Sequence, residues 1–178
     1  MDYLYAPWRG TYATQLTDKK KQPHAQHESI FTVQFADGKS DQEHLILTRL
    51  AHVIILLNLY PYNPGHILVV PVRKVARLDE LTRTERAELM EAIAASAALL
   101  EKILGNPGTN VGFNLGDWSS GGSIPDHLHA HVIPRWRGDT GFLPLLAQVK
   151  PLSEDLREVY EKLREPFKQL EILSQNNT

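Results

Sequence analysis

The sequence predicts an α+β fold: an antiparallel β-sheet with one long helix and one C-terminal helix packed against it. Three features carry that expectation. Short apolar runs broken by Gly, Pro and Asp turns fill residues 29–72. An amphipathic pattern with its own start and stop signals spans Leu81 to Gly105. A period-two segment follows at His127 to Ile133, and a second helical stripe opens after Ser153-Glu154-Asp155.

Taken in order, residues 1–28 read as an irregular extension, with Lys19-Lys20-Lys21 in a solvated connection. Ser29 to Phe35 is apolar enough for a strand, and Ala36-Asp37-Gly38-Lys39 supplies turn chemistry. His44 to Arg49 and Val53 to Leu59 read as two further strands. The run Val53-Ile54-Ile55-Leu56-Leu57 is wholly apolar, which places it at the centre of a sheet covered on both faces. Pro61 and Pro64-Gly65 force a turn, and Ile67 to Val72 returns as the next strand.

Thr82 with Glu85 three residues on makes a capping box for the long helix, and Gly105 followed by Pro107 ends it. Leu89, Ile93, Ala97 and Leu100 form its buried stripe. Asn110 to Leu115 reads as a strand, and Gly138 to Pro151 as a loop. Leu156, Val159, Tyr160 and Leu163 line one side of the last helix, which Pro166 is expected to end or kink, leaving Ser174 to Thr178 frayed. The 178 residues are read as one domain.

Hydrophobic content of 42% and charged content of 22% are ordinary for a globular chain. A net charge of −2 gives no broad basic surface, so nucleic acid is not an expected partner, and no apolar run approaches the length of a membrane span, so no membrane is expected either. The absence of cysteine excludes disulfides and thiolate metal sites, and with no signal-like N-terminus a cytoplasmic setting is expected.

The chemistry concentrates in His127-Leu128-His129-Ala130-His131-Val132-Ile133, which holds three of the eight histidines. On a strand the three imidazoles leave one face while Leu128, Ala130 and Val132 enter the other. His127 and His131 would then lie roughly 13 Å apart, too far to share one metal without a strong bend. A row of imidazoles suits an extended anion such as a polyphosphate. Ser119-Ser120-Gly121-Gly122-Ser123 runs straight into that row and can turn backbone N–H groups toward an anion.

The His-x-His-x-His pattern with its two following apolar residues resembles the signature of the histidine-triad (HIT) nucleotidyl hydrolases and transferases. Leu57-Asn58-Leu59-Tyr60-Pro61-Tyr62-Asn63-Pro64-Gly65-His66-Ile67-Leu68-Val69-Val70-Pro71 resembles the nucleotide-binding hairpin of that family. Tyr5-Ala6-Pro7-Trp8-Arg9 and the segment from Val132 to Asp139 resemble one branch, the bacterial diadenosine tetraphosphate phosphorylases, or ATP adenylyltransferases, and their relatives. The likeness runs from about residue 4 to 165 and implies a HIT-like fold.

It also implies roles. His129 is the nucleophile on an α-phosphorus, His131 a donor to a phosphate or the leaving group, and His127 an orienting group. His66 packs beside the triad. Gly122 and Ser123 hold non-bridging oxygens, although many relatives carry Gln where Ser123 stands. Asn114 either points toward that loop or closes a turn, and Asn58 either binds ribose or caps the strand end. Phe31 and Leu57 would sandwich the base, though each also suits a core. Trp8, Trp118 and Trp136 cover the site or a subunit interface, and Asp126 and Asp139 either orient a histidine or are solvated. His24 and His27 have zinc-compatible spacing, but Lys74 stands where such relatives carry a third ligand. No metal and no cofactor is therefore expected.

The leading expectation is an enzyme that cleaves dinucleoside polyphosphates through a nucleotidyl-His129 intermediate, releasing ADP and ATP from diadenosine tetraphosphate by phosphorolysis. AMP, ADP, ATP and inorganic phosphate are the implied small-molecule partners, and a homodimer or higher homo-oligomer the implied assembly. An asymmetric hydrolase or phosphoramidase is the enzymatic alternative. An AMP-binding protein without turnover, or a zinc site on His127 and His129, are the others.

Overall fold

The computed structural model describes residues 29–36, 38–116, 124–139 and 154–175. Its elements are α1 (Ile30–Ala36), β1 (Ile46–Arg49), β2 (Val53–Leu57), β3 (Ile67–Pro71), a 3-10 turn (Leu78–Glu80), α2 (Arg83–Leu104), β4 (Gly108–Phe113), β5 (Ala130–Arg135) and α3 (Leu156–Gln175). The strands form one antiparallel sheet in the order β1-β2-β3-β5-β4. The α+β expectation holds. The central strand is β3 rather than β2, because β5 inserts beside it, pairing Leu68 with His131 and Val69 with Ala130.

Alternation along β2 sorts the two cores. Val53, Ile55 and Leu57 join the larger cluster, which α2 and α3 cover with Leu89, Ile93, Leu100, Val159, Leu163 and Phe167 and to which β3 and β5 add Ile67, Val69, Ala130 and Val132. Ile54 and Leu56 join Phe31, Ile46, Leu68 and Val70 in a smaller cluster on the opposite face. Both strands are therefore buried along their whole length. Each of these aliphatic side chains contributes about 1.5–3 kcal/mol by leaving water.

The long helix begins and ends where local chemistry directs. Thr82 Oγ1 accepts the Glu85 N–H at 3.2 Å, and the Glu85 carboxylate accepts the Thr82 N–H at 2.7 Å. Arg73, just past β3, grips the same carboxylate at 2.8 and 2.9 Å, so the start of α2 is pinned to the end of β3. That guanidinium holds the Glu85 carboxyl down to about 2. Gly105 closes the helix in the left-handed conformation, with φ 66°.

Two expectations are corrected. The segment read as a strand from Ser29 to Phe35 is the helix α1. Ser29 caps its first turn, and Phe31 and Phe35, one turn apart, stack at 6.1 Å over the smaller cluster. Of the two outcomes expected at Pro166, an end or a kink, the structure overturns the first: α3 continues to Gln175. Leu163 and Phe167, both 0% exposed, anchor the helix on either side of the proline, and their burial outweighs the hydrogen bond it removes. Among the described residues no helix is long and apolar enough to cross a membrane.

Candidate active site

The β2–β3 hairpin and the start of β5 assemble the site. The Asn58 N–H donates to the His66 carbonyl at 2.9 Å, and Gly65 takes φ 75° so that the chain can turn into His66. His66 is 0% exposed and faces the strand that carries His131. Asn63 Nδ2 donates to the Pro134 carbonyl at 2.8 Å and to Asp139 at 2.7 Å, fastening the hairpin tip to the far end of β5.

The hydrogen bonds assign each imidazole proton, because a backbone N–H can only donate and a carbonyl can only accept. Tyr62 N–H donates to His66 Nδ1 at 3.1 Å, so the His66 proton sits on Nε2. His66 Nε2–H then donates to His131 Nδ1 at 3.0 Å, which leaves the His131 proton on Nε2. Asn114 Nδ2 lies 3.2 Å from that nitrogen; two donors cannot pair, so with the His131 proton on Nε2 the amide is turned to present its oxygen to the ring.

His129 carries the opposite tautomer. Its Nδ1–H donates to the main-chain carbonyl of His127 at 2.8 Å, so Nε2 bears the lone pair. His129 and His131 lie edge to face, with centroids 5.0 Å apart. The His127 ring is closed at both nitrogens: Nε2–H donates to the Pro71 carbonyl at 2.8 Å, and Nδ1 accepts from Ser29 Oγ at 2.9 Å. Neither nitrogen keeps a lone pair for a metal.

Burial favours the neutral rings throughout. It lowers the pKa of His127 and of His129 from the ordinary imidazole value. Burial, with His129 close by, lowers His131 to about 4. At neutral pH the His129 Nε2 lone pair is therefore available without prior deprotonation.

A cavity of about 410 Å³ opens over these rings and is lined by His129, His131, Asn58, Asn114, Phe31 and Leu57 among others. Leu57 contributes wall, but its side chain packs with the cluster under α2. The period of two turns Leu56, its neighbour, to the other face, where Leu56, Leu68 and Phe31 share the smaller cluster and line the cavity. His127 does not line the cavity, and β5 begins only at Ala130, so the three imidazoles do not form the even strand row expected from the pattern. His127 leaves the sheet to bond Pro71, whereas Leu128, Ala130 and Val132 enter the larger core as expected.

Asn58 faces the cavity while also bonding inward. Its Oδ1 accepts the Tyr60 N–H at 3.0 Å and its Nδ2 lies 3.3 Å from His66 Nδ1. Asp126 pairs with Lys74 at 3.0 Å, and Asp139 takes Arg135 at 2.6 and 2.8 Å. The carboxyl of Asp139 is held well below its ordinary value by that guanidinium, and its hydrogen bonds come from Arg135, Asn63 and the Trp136 N–H rather than from a triad histidine. Gly122, Ser123, Trp8, Trp118, His24 and His27 lie outside the described residues.

Three contributors were not legible beforehand. Tyr62 stacks near His66 and His131 at 4.9 and 6.0 Å. Ser29 reaches His127 from 98 positions away, and Ile124 lines the cavity. The aromatic-rich turn at Tyr60-Pro61-Tyr62 was the signal for the first. The other two had none.

The HIT domain family model matches residues 39–138, more than half of the chain. An AP-4-A phosphorylase of Mycobacterium tuberculosis (strain ATCC 25618 / H37Rv) is 39% identical over 155 residues, 87% of this chain and 78% of that protein. A bis(5'-nucleosyl)-tetraphosphatase [asymmetrical] of Schizosaccharomyces pombe is 37% identical over 83 residues, 47% of this chain and 44% of its own. The crystal structure of a zinc-bound histidine triad family protein from Mycobacterium smegmatis superposes with a TM-score of 0.64 at 20% identity, covering 82% of this chain and 97% of that one. That likeness speaks for the fold alone. From the matched span, the shared architecture and the long similarity to the mycobacterial relative, the chain belongs to the histidine-triad (HIT) family.

Proposed function

We propose that the protein is a nucleotidyltransferase that cleaves dinucleoside polyphosphates by phosphorolysis, with diadenosine tetraphosphate as substrate. The observation that carries this reading is the His129 ring, whose Nδ1–H is tied to the His127 carbonyl and whose Nε2 lone pair belongs to a residue lining the cavity. Nε2 attacks the α-phosphorus, a P–N bond forms, and the P–O bond to the departing ATP breaks. His131 Nε2–H, its proton placed there by His66, donates to the departing oxygen or steadies a non-bridging one. Inorganic phosphate then attacks the nucleotidyl-His129 phosphorus, releases ADP and returns the lone pair to Nε2. Gly122 and Ser123 are assigned to the non-bridging oxygens.

The base belongs in the apolar end between Phe31 and the pair Leu56 and Leu68, with Asn58 toward the ribose. The similarity to the mycobacterial AP-4-A phosphorylase supports phosphorolysis. The similarity to the asymmetrical tetraphosphatase supports water as the competing second nucleophile. Product analysis from diadenosine tetraphosphate by anion exchange, with and without phosphate, separates the two. ADP plus ATP formed only with phosphate supports the proposal, whereas AMP plus ATP irrespective of phosphate replaces it with hydrolysis.

A homodimer is part of the same proposal. β4 is an outer strand of the sheet, and Val111 on it is 47% exposed. Light scattering that returns one chain mass at micromolar concentration would remove this part.

A further inference from the structure

Ser29 stands immediately before α1, and its hydroxyl serves two partners at once. The oxygen accepts the Phe31 N–H at 3.3 Å, the bond that caps the first turn. The hydroxyl hydrogen goes to His127 Nδ1 at 2.9 Å, because His127 Nε2–H is already committed to the Pro71 carbonyl. Ser29 is 1% exposed and His127 0%. His127 is thereby held at three points: Ser29 on one ring nitrogen, Pro71 on the other, and His129 Nδ1–H on its main-chain carbonyl. Phe31, two residues past Ser29, meets the rings of both His127 and His129 at 5.4 and 5.5 Å and forms a wall of the cavity.

We propose that Ser29 is a positioning residue: acting through the His127 ring, it keeps the His127 carbonyl on His129 Nδ1 and ties that alignment to the helix that walls the base cavity. The His127 carbonyl is what keeps the proton of His129 off Nε2. If the ring of His127 is released at Nδ1, only the Pro71 hydrogen bond still fixes the ring that sets the carbonyl's direction. The His129 tautomer with the proton on Nε2, which has no lone pair to offer a phosphorus, then becomes populated. Binding depends on the cavity walls and attack on the tautomer, so the loss falls on the chemical step. The catalytic consequence rests on the proposed role of His129; the tautomer assignment does not.

The experiment compares Ser29→Ala, Ser29→Gly and Ser29→Thr in the full chain. Glycine is well tolerated at a helix N-cap and has no hydroxyl, whereas threonine keeps both the cap and the donor. Two readouts are taken: the single-turnover rate of covalent nucleotidylation from diadenosine tetraphosphate, and the ¹⁵N shifts of the His129 ring without ligand. The expected result is a rate lowered roughly 10- to 100-fold in both Ala and Gly variants, with KM changed by less than about twofold and Thr close to wild type. The ¹⁵N spectra are expected to show Nδ1–H alone in wild type and Thr, and a mixture in Ala and Gly. A Gly variant with wild-type rate and an unmixed His129 tautomer would reduce Ser29 to a helix cap and overturn the proposal. Should the wild type form no adduct, the role of His129 as nucleophile fails, and the ¹⁵N comparison alone decides the role of Ser29.

Discussion

His66 Nε2 lies 3.0 Å from His131 Nδ1, and the proton between them belongs to His66. The assignment follows from Tyr62, whose backbone N–H occupies the other nitrogen of His66. A main-chain group in the hairpin turn thus determines which nitrogen of His131 faces its outer partners with a proton. Replacing His66 by Ala removes that determination. The expected effect is a loss of about 10²-fold in turnover, the scale of one general-acid contribution. The loss should shrink for an AMP ester with a p-nitrophenolate leaving group, which departs without a proton. Equal losses on both substrates would count against proton delivery through His131.

His129→Asn keeps an amide donor where Nδ1 reaches the His127 carbonyl, and so removes the proposed nucleophile with little disturbance around it. Turnover is expected to fall by about 10⁴-fold or more. Intact-mass spectrometry should show no nucleotidyl adduct in this variant, and circular dichroism an unchanged fold. An adduct of normal abundance would reassign the nucleophile.

Acid should weaken the fold. His127, His129 and His131 have folded pKa values below that of the free imidazole, so the unfolded chain binds more protons than the folded one. The stabilisation is complete above about pH 6.5, the unfolded imidazole value, and is lost as pH falls toward about 4, the His131 value. Urea midpoints measured from pH 7.5 to 4.5 should decline through that window. In a His131→Asn variant the decline should be shallower.

Gly65→Ala tests the turn that delivers His66. The position has φ 75°, and an added Cβ would collide with Leu104 Cδ1 and press on Pro134 Cγ at 3.3 Å. Backbone strain and overpacking together cost about 2–4 kcal/mol. A thermal melt should show a clear drop, with turnover falling further than the unfolded fraction explains because His66 is displaced.

The parts of the fold that were legible in the sequence were those written in neighbouring residues. Thr82, Glu85 and Gly105 bound α2 through contacts spanning three or four positions, and the Pro64-Gly65 turn likewise announces the hairpin. The histidine pattern marked the site, but it read as an even row because alternation was its only visible rule. That His127 would leave the row depended on the Pro71 carbonyl and Ser29, distant in sequence and close only after folding. The strand read at Ser29 to Phe35 failed for a related reason. Its β-branched and aromatic residues suit either period, and burial of Phe31 over the smaller cluster selects the helix.

Asn63 joins the hairpin tip to Pro134 and Asp139 at the end of β5. These two regions carry His66 and His131, and the side chain between them makes their local opening a shared event. In hydrogen–deuterium exchange the amides of His66 and Trp136 should be released at similar free energies, as one cooperative unit. The proposed proton path from His66 to His131 thus spans two segments fastened to each other by Asn63. Breathing motions that separate the hairpin from the strand would break the His66–His131 bond and the Asn63 contacts together.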